Sequence, residues 1–557
     1  MKKIFTLLML GIVILTNSPS RADTYFVSES GAGSKDGKSY ANRAPIADHN
    51  SGVGVFNNLD GDTVYLCGDV TSTLSPPDSG TKGAEVAYNG NCSTQDATGS
   101  DYVYRGAGNG VDVNKNFLIF SWLHISSGKQ AIYIRPGVNN VQIRNSYITG
   151  TNEGIWINQS NNITIGGNAE YSNLIKDLGV NTAYEDIAIS GTDANRAHSI
   201  TISYNELTGD GSSKGTDGIM VDSADNDDIG QPGKEVIIEH NYIHDHYREN
   251  ELDFKGGGYY IIRKNIIKGS PSTYSANEMQ VHFQSGCDHI YMYGNVLCGH
   301  DKGGILIWDH TPGGHAVEHV YIWSNLIYDM DWMGINLDDD NQGLNNVYLW
   351  NLTVVDNARD PASKTDCGLK MNDALKSSGA LQVYNSIFAY NRDNQTINAA
   401  MQLYTAGTNN FIFDYNLYYS NHGHTDMYYD GSLKVFSYWQ ATNKDIHGIE
   451  ADPGFNNRAS GDYTTKSNLT GTKSDVALRM WYPDADKGLV ENSNINAQQC
   501  GKTPGGYAKC AKGLILADRD NYNNGIWGKG AFVYGTKGTA ATKKNTLGEV
   551  RNLRIKN

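Results

Sequence analysis

The sequence has little proline and little positive charge, and no long apolar segment follows its first residues. It contains 12 prolines in 557 residues, and its 45 lysines and arginines against 60 acidic residues give a net charge of −15. A chain with this charge and no basic patch is a poor partner for nucleic acid. No later segment approaches the roughly 20 apolar residues of a transmembrane helix. We therefore expect neither a nucleic-acid partner nor a membrane-embedded chain.

The first 22 residues have the pattern of a secretory signal peptide. Lys2 and Lys3 precede an apolar run from Ile4 to Leu15, and small residues follow up to Ala22. The run is too short to span a bilayer comfortably, so cleavage near Ala22 is expected. The pattern predicts a protein that is secreted, periplasmic or exposed at the cell surface, and we expect a monomer.

Seven cysteines in an exported chain favour disulfides. The pairs nearest in sequence leave Cys367 as a buried thiol. These predicted pairs are Cys67–Cys92, Cys287–Cys298 and Cys500–Cys510.

Glycine, tyrosine and asparagine are plentiful, with 62 Gly and 35 Tyr, which favours turns and strands over helices. From about residue 115 a unit recurs that consists of a short β-run, an asparagine, two or three apolar residues, a turn and a second short β-run. Its first half reads VIIEHNYI, YIIRKNII, IYMYGNVL and VYIWSNLI in successive copies. Asn241, Asn265, Asn295 and Asn325 are 24, 30 and 30 residues apart, and Asn351 continues the series. One such unit is unable to bury its own apolar face, so the repeat predicts a solenoid rather than separate sandwich domains. We expect a right-handed parallel β-helix with stacked asparagines at one turn.

The predicted division of the chain follows from this repeat. Residues 1–22 are the signal peptide, 23–60 an opening strand and cap, 61–455 the β-helix, and 456–557 a closing segment. The fold class is all-β.

The second β-run of each unit alternates apolar and polar residues, as in GIMVD, ELDFK, EMQVH and GILIW. Alternation directs Leu252 and Phe254 inward and Asp253 and Lys255 outward. One outward column is predicted to contain the fifth residue of each such strand. Its predicted members are Ser190, Asp222, Lys255, His282, Trp308, Asp338, Asn372 and Tyr404.

Four aspartates, Asp186, Asp217, Asp222 and Asp253, fall on three adjoining coils near the same edge of this face. Calcium takes six to eight oxygen ligands, often from several carboxylates, and uncompensated carboxylates this close together would be costly. The pattern predicts a calcium site. The neighbouring stretch SADNDDIG has the simpler interpretation of an acidic surface loop.

Lys255 lies among these acids and is followed by a run of glycines that leaves room above it. Most surface lysines between acids form solvated ion pairs, and this is the alternative to a functional role. A lysine acts as a general base when its pKa falls, which a bound cation favours and nearby carboxylates oppose. A base at Lys255 is therefore conditional on the metal.

The stretches GTDGIMVD and ENELDFKGGGYYIIRKNII resemble the catalytic region of polysaccharide lyase family 9, the right-handed β-helix pectate and rhamnogalacturonan lyases. The resemblance implies calcium-assisted β-elimination on a uronic-acid polysaccharide, with a lysine that removes the C5 proton. Lys255 matches the lysine and Asp217 a calcium ligand, with Asp186 a candidate for the ligand before it. Met220 stands where a further aspartate is expected, so Asp222 or Asp253 would have to replace it.

The same resemblance implies contacts with an acidic polysaccharide. Arg248 or His282 would lie against the sugar carboxylate or the leaving oxygen. Trp308 and Tyr404 would stack on sugar rings, and Asp338 lies along the same predicted column.

Three other functions fit parts of the pattern. A glycoside hydrolase needs two carboxylates at one of two separations, which the acids at 338–340 could form with Asp309. A C5-epimerase would share the proton abstraction, and a glycan-binding adhesin would need only the aromatic residues. Zinc is not expected, because His244/His246 and His310/His315 lack a third ligand at suitable spacing.

Overall fold

Each repeat unit forms one coil of three short strands in the computed structural model of the chain. The structure describes residues 22–92, 102–176, 178, 185–192, 196–209, 217–223, 229–246, 249–269, 279–284, 286–299, 303–309, 315–339, 344–360, 367–372, 380–391, 399–403, 410–420, 426–429, 432–466 and 469, and four short strands between 494 and 515. Equivalent strands of successive coils pair in parallel and form three long sheets of 15, 14 and 13 strands. The predicted right-handed parallel β-helix is confirmed.

Sheet 1 begins each coil. Its strands, in spatial order, are Ala44–Pro45, Thr24–Ser28, Thr63–Leu66, Val86–Asn89, Leu118–Ser121, Asn139–Arg144, Asn161–Gly166, His198–Ser203, Val236–Glu239, Gly257–Arg263, Cys287–Tyr293, Val317–Trp323, Leu344–Trp350, Ala380–Tyr384 and Asn410–Asp414.

Sheet 2 contains the shortest strands. They are Asp69–Val70, Val103–Tyr104, His124–Ile125, Tyr147–Thr149, Leu174–Lys176, Glu206–Thr208, Tyr242–His244, Ile266–Lys268, Val296–Cys298, Leu326–Tyr328, Thr353–Val355, Ile387–Ala389, Leu417–Tyr419 and Ile449–Glu450.

Sheet 3 contains the strands with the predicted site. They are Val111–Val113, Gln130–Ile134, Glu153–Asn158, Ile187–Ser190, Ile219–Asp222, Leu252–Lys255, Met279–Gln284, Gly303–Asp309, Ile335–Asp339, Leu369–Asn372, Ala399–Leu403 and Asp426–Tyr429, with Ser432–Val435 antiparallel at the end.

The remaining elements belong to the N-terminal and C-terminal parts of the chain. Near the N-terminus are the helix Ile46–Asn50 and the 3-10 turns Tyr40–Asn42 and Gly54–Phe56. After the last coils in the sequence come the helix Phe436–Ala441, the 3-10 turn Arg458–Ser460, and three antiparallel strand pairs. These pairs are Phe455–Asn457 with Asp462–Thr465, Asn494–Ile495 with Leu514–Ile515, and Gln498–Gln499 with Lys509–Cys510. No helix among the described residues is both long and apolar enough to cross a bilayer.

The corner between sheet 1 and sheet 2 has a constant form. From strand His198–Ser203 onward it is always two residues long. The first has a positive φ, as at His240 (57°) and Lys264 (57°), and the second is commonly asparagine. Residues other than glycine are uncommon in this left-handed region, so the corner holds each coil in one specific geometry.

The predicted asparagine ladder occupies the second position of this corner. Asn241 Nδ2 donates to Asn265 Oδ1 at 3.0 Å, and Asn265 Nδ2 donates to Asn295 Oδ1 at 3.0 Å. The backbone N–H of each asparagine donates to the same acceptor oxygen on the next coil, at 3.0 Å for Asn241 and 2.9 Å for Asn265. The ladder therefore satisfies turn groups that no strand partner reaches.

The ladder is interrupted at Leu352 and resumes further on, where the backbone N–H of Ser386 donates to Asn416 Oδ1 at 2.9 Å. Strand pairing aligns Ile322 with Leu349 and Leu326 with Thr353, so Leu352 follows Asn325 in the ladder position. Asn351 lies one residue earlier, at the corner position with a positive φ of 52°. Counting Asn351 as a ladder member was wrong, because asparagine suits both corner positions.

The structure confirms some of the cysteine predictions and contradicts one. Cys67 and Cys92 form a disulfide with a Cα–Cα separation of 5.4 Å, as predicted, and Cys367 is a buried free thiol. The Cys287–Cys298 pair is wrong: Cys287 is a buried free thiol, whereas Cys298 belongs to another disulfide. The Cys287 thiol lies 3.3 Å from the Phe254 carbonyl oxygen, inside the coil stack and away from Cys298 on sheet 2. The Cys500–Cys510 pair lies outside the described side chains.

Candidate active site

Strand Leu252–Lys255 has the orientation predicted from its alternation. Leu252 and Phe254 are completely buried in the coil interior, where the Phe254 ring stacks on Phe283 at a centroid distance of 5.0 Å. Asp253 and Lys255 lie on the outer face of sheet 3. The Lys255 side chain keeps 37% of its surface exposed, so solvent reaches it.

The next coil is displaced by two residues from its predicted register. Leu252, Asp253 and Phe254 pair with Val281, His282 and Phe283. His282 therefore lies beside Asp253, and the column of Lys255 continues with Gln284 and then Trp308. Placing His282 beside Lys255 was wrong. Met279, Val281 and Phe283 are all apolar at a spacing of two, and a two-residue shift keeps every side chain on its predicted face.

Three carboxylates converge next to Lys255. Asp217, Glu249 and Asp253 each offer an oxygen atom, and these three atoms lie within 4.8 Å of one another. Asp217 and Asp253 are buried, with 0% and 1% exposure, whereas Glu249 is partly exposed. Such a set of hard oxygen donors is the kind that Ca²⁺ or Mg²⁺ binds.

The two oxygens of Asp217 have different surroundings. Oδ1 accepts hydrogen bonds from the backbone N–H of Asn250 at 2.9 Å and from its side-chain amide at 3.3 Å. Oδ2 is buried and has no hydrogen-bond partner among the residues that the structure describes. A buried carboxylate oxygen without a partner is costly unless a cation or a proton is present.

The electrostatics of the cluster agree with this interpretation. Burial, followed by the negative charges of Asp253 and Glu249, raises the pKa of Asp217 well above its ordinary value. Burial also raises the pKa of Asp253, although Lys255 and a hydrogen bond from Gln284 act against that rise. Without a cation, the cluster therefore holds protons more tightly than isolated aspartates do.

Lys255 interacts directly with this cluster. Its Nζ lies 3.4 Å from Asp253 Oδ2 and 3.4 Å from the Met220 sulfur. Partial burial lowers the pKa of Lys255, but the charges of Asp253 and Asp217 outweigh burial and raise the pKa above its usual value. The lysine is thus protonated at neutral pH when no cation offsets these carboxylates.

Side chains of the following coils extend the site. Gln284 Nε2 donates to Asp253 Oδ1 at 2.8 Å, and His282 Nδ1 lies 3.5 Å from the same oxygen. The His282 ring stacks on Trp308 at a centroid distance of 5.9 Å. Trp308 is two coils from Lys255, which corresponds to about 10 Å along the face.

Two of the four predicted metal ligands are not part of the three-carboxylate cluster. Asp186 is buried, and its Oδ2 lies 3.0 Å from Nε2 of His246. Asp222 is the exposed last residue of its strand, aligned with Lys255 on the next coil. The third member of the cluster, beside Asp217 and Asp253, is Glu249.

An acidic column continues from the cluster toward the N-terminal coils. Strand register aligns Glu153, Glu185 and Asp217 on successive coils, where each lies at or just before the start of its sheet 3 strand. Burial, followed by the charge of Glu153, raises the pKa of Glu185 to about 7. Gln130 Nε2 donates to Glu153 Oε2 at 2.9 Å and closes the column.

The acids of the hydrolase alternative align only in part: Asp309 is paired with Asp339 on the next coil, but not with Asp338. Asp309 is completely buried and lies on the same side of its strand as Ile305 and Ile307. Asp338 pairs with Trp308 on the partly exposed outer face, so strand alternation separates the two acids. The predicted substrate contacts Arg248 and Tyr404 lie outside the described residues.

Sequence reasoning missed Glu249, Gln284 and Asn250, for which the periodic pattern offers little signal. Glu249 belongs to the segment before strand Leu252–Lys255, and periodicity carries no information about side-chain direction in such a segment. Gln284 was missed because the register of its strand was set two residues too early. Asn250 aligns with Asp217 on successive coils, and only the paired strands reveal that alignment.

The similarities to solved structures concern the fold. A mannuronic-acid-specific polysaccharide family 6 lyase from the human gut microbiota has a TM-score of 0.41 and 14% identity, with 73% of this chain and 82% of that chain covered. The family 6 alginate lyase AlyGC has a TM-score of 0.44 and 13% identity, with coverages of 77% and 57%. The pectate lyase Pel9A has a TM-score of 0.33 and 12% identity, with coverages of 71% and 80%.

No protein family matches the sequence, and no curated protein matches it. The chain resembles the β-helix polysaccharide lyases in fold, and the three parallel sheets of the chain itself establish that fold. At these identities and TM-scores, the similarities carry no information on substrate or mechanism.

Proposed function

We propose that the protein is an exported polysaccharide lyase that cleaves a uronic-acid polysaccharide by β-elimination. The observation that supports this most directly is the contact between Lys255 and Asp253, which belongs to a cluster of three carboxylates. An ordinary surface ion pair needs one carboxylate, and it gains nothing from two further acids nearby or from the burial of Asp217 and Asp253.

The donor set fits a divalent cation. Asp217, Glu249 and Asp253 would hold the ion, and the buried Asp217 Oδ2 is an oxygen that needs a positive partner. The ligands are all oxygens, which favours calcium over zinc. A bound cation would neutralise the carboxylate of the uronic acid and so make its C5 hydrogen more acidic.

The residues of the chain would then act on the sugar in a defined order. The outer face of sheet 3 binds the extended polymer, and Trp308 contacts a ring about two coils from the reacting sugar. Lys255 in its neutral form accepts the C5 proton on Nζ. The electron pair of the C5–H bond forms the C4–C5 double bond, the C4–O4 bond breaks, and the leaving oxygen takes a proton from water.

The alternative functions have less support. The hydrolase alternative has less support because Asp309 is completely buried and lies on the opposite face from Asp338, although it aligns with Asp339. A binding protein would not require Lys255 or the buried carboxylates. A C5-epimerase shares the proton abstraction and differs only in the fate of the carbanion, which is reprotonated from the opposite side of the ring.

The test is an assay for unsaturated uronates with the purified mature protein. Alginate, polygalacturonate, rhamnogalacturonan and a glucuronan would each be incubated with calcium or with a chelator, and the ultraviolet absorbance and product masses recorded. We expect calcium-dependent unsaturated products from at least one polymer. Saturated products would identify a hydrolase, and inverted C5 stereochemistry without cleavage would identify an epimerase. Binding without any product would support the adhesin alternative.

A further inference from the structure

A second group of metal-binding side chains lies on sheet 1, away from the carboxylate cluster. Strands Cys287–Tyr293 and Val317–Trp323 are paired neighbours, and Asp288 aligns with Glu318 on the adjoining coil. The next residues are His289 and His319, which therefore occupy the same place on successive coils. Asp288, His289 and His319 each offer a ligand atom, and these atoms lie within 4.8 Å of one another.

The backbone conformation at positions 289 and 319 does not by itself explain why both residues are histidines. His289 and His319 have positive φ values of 51° and 50°, and so do Asn162 and Asn346, which stand at the same coil position. Asparagine, aspartate and histidine are all enriched in this conformation, so the backbone alone does not select histidine. Two successive histidines that share one carboxylate need a further reason.

One carboxylate fixes the direction of both rings. Asp288 Oδ2 lies 2.7 Å from His289 Nδ1, and Asp288 Oδ1 lies 2.8 Å from His319 Nδ1. An ionised carboxylate only accepts hydrogen bonds, so each Nδ1 carries the hydrogen and each neutral ring has Nε2 as its lone-pair nitrogen. The two rings stack on each other with a centroid distance of 4.6 Å.

This arrangement is the one that proteins use behind a histidine-bound metal ion. A carboxylate that accepts the Nδ1 hydrogen holds the ring and makes its other nitrogen a stronger ligand. We propose that His289 and His319 bind a transition-metal ion of the Zn²⁺ or Cu²⁺ class through Nε2, with Asp288 as the positioning carboxylate.

Such an ion would connect two coils. The side chains of His289 and His319 are 28% and 34% exposed, so an ion from solvent reaches both rings, and water supplies the remaining ligands. Imidazole ligands select zinc or copper over calcium, so this site and the carboxylate cluster take different ions. A ligand that binds only the folded chain stabilises it, and here it would do so across adjoining coils.

The experiment is calorimetric titration of Zn²⁺ into the full-length protein with calcium present in excess. We expect one equivalent of bound zinc to be lost in His289→Asn/His319→Asn. Asparagine tolerates the positive φ at both positions, so the backbone is left without added strain. Asp288→Asn should keep the equivalent and weaken its affinity roughly 10-fold to 100-fold.

His447→Asn provides a matched control. His447 Nδ1 lies 2.9 Å from Asp414 Oδ2, and its ring stacks on Tyr415, but among the described residues it belongs to no group of three metal-binding side chains. This variant should retain the wild-type number of zinc ions. Zinc should raise the thermal midpoint of the wild type and of His447→Asn more than that of the double variant.

Two results would overturn the proposal. One is a double variant that binds as many zinc ions as the wild type with the same affinity. The other is a wild-type protein that binds no zinc. Neither result bears on the lyase proposal, because the carboxylate cluster contains no histidine ligand.

Discussion

Asp253 is 1% exposed although it lies on the outer face of its coil. The side chains of Lys255, Gln284 and His282 lie against its carboxylate and shield it from solvent. Alternation in the sequence predicted the face correctly, but it carried no measure of how deeply neighbouring coils would bury the residue. Burial and cross-coil partners depend on the register, which alternation alone leaves open by any multiple of two residues.

Substitutions of Lys255 distinguish a catalytic base from a lysine that only forms an ion pair. Lys255→Ala should abolish product formation at saturating substrate. Lys255→Arg should be almost as inactive, because a guanidinium stays protonated at neutral pH. Both variants should bind the polymer and lose less than about 1 kcal/mol of unfolding free energy, since the side chain is partly exposed. Substantial activity of Lys255→Arg in the unsaturated-uronate assay would exclude Lys255 as the base.

The variant Asp217→Asn tests cation binding through protein stability, without an activity measurement. In chelator, the variant should be more stable than the wild type by about 1 kcal/mol, because it removes a buried charge with an unpartnered oxygen. In calcium, the order should reverse, because the wild type gains ligand-binding energy that the variant loses. Urea unfolding of both proteins in both buffers checks this. An equal calcium response in the two proteins would remove Asp217 from the metal site.

At the scale of elements, the sequence missed the sheet 2 strands, which span only two or three residues each. It predicted the other two strands of each coil, the inward and outward faces and the asparagine ladder. It failed where two choices had the same periodicity. A two-residue shift of strand Met279–Gln284 leaves all its apolar residues inside, so only the pairing with Leu252–Lys255 reveals the error. Asn351 was misassigned for a similar reason, because adjacent corner positions both accept asparagine. Glu249 belongs to a connection, where no periodic pattern applies.

Asn265→Ala tests how much the ladder contributes. The variant leaves the backbone and side-chain donors of Asn241 without their acceptor, at a buried site. Each buried polar group left unsatisfied costs about 1–3 kcal/mol, so we expect a loss of a few kcal/mol in urea unfolding. Asn345→Ala is the control, because its amide donates to the partly exposed Glu318 carboxylate and should matter little. Equal losses in the two variants would contradict a structural role for the ladder.

At the scale of the molecule, a solenoid must close its ends because the first coil has no neighbour to cover its core. The helix Ile46–Asn50 contributes to the N-terminal closure. His49 is completely buried, and its ring nitrogens lie 3.1 Å from Asn50 Oδ1 and 3.2 Å from the Tyr88 hydroxyl. This imidazole therefore connects the cap to the core of the early coils.

The cap should weaken in mild acid. Burial lowers the pKa of His49 from 6.5 to about 4. The stability that depends on the neutral ring is therefore complete above pH 6.5 and falls as the pH drops toward 4. His49→Gln should be less stable than the wild type at neutral pH and should lose less stability between neutral pH and pH 5. Thermal midpoints measured across this range would reveal the difference, and parallel profiles would contradict it.

The two-residue corner between sheet 1 and sheet 2 also affects how this chain could diverge. From His198 onward that corner keeps one length, whereas the connections on both sides of sheet 3 differ from coil to coil. From His198 onward, therefore, the described coils vary in length only at the two corners that border the proposed substrate face. A change in length at these corners would alter the borders of that face, and with them the polymers it accepts, while every coil stays in step with its neighbours.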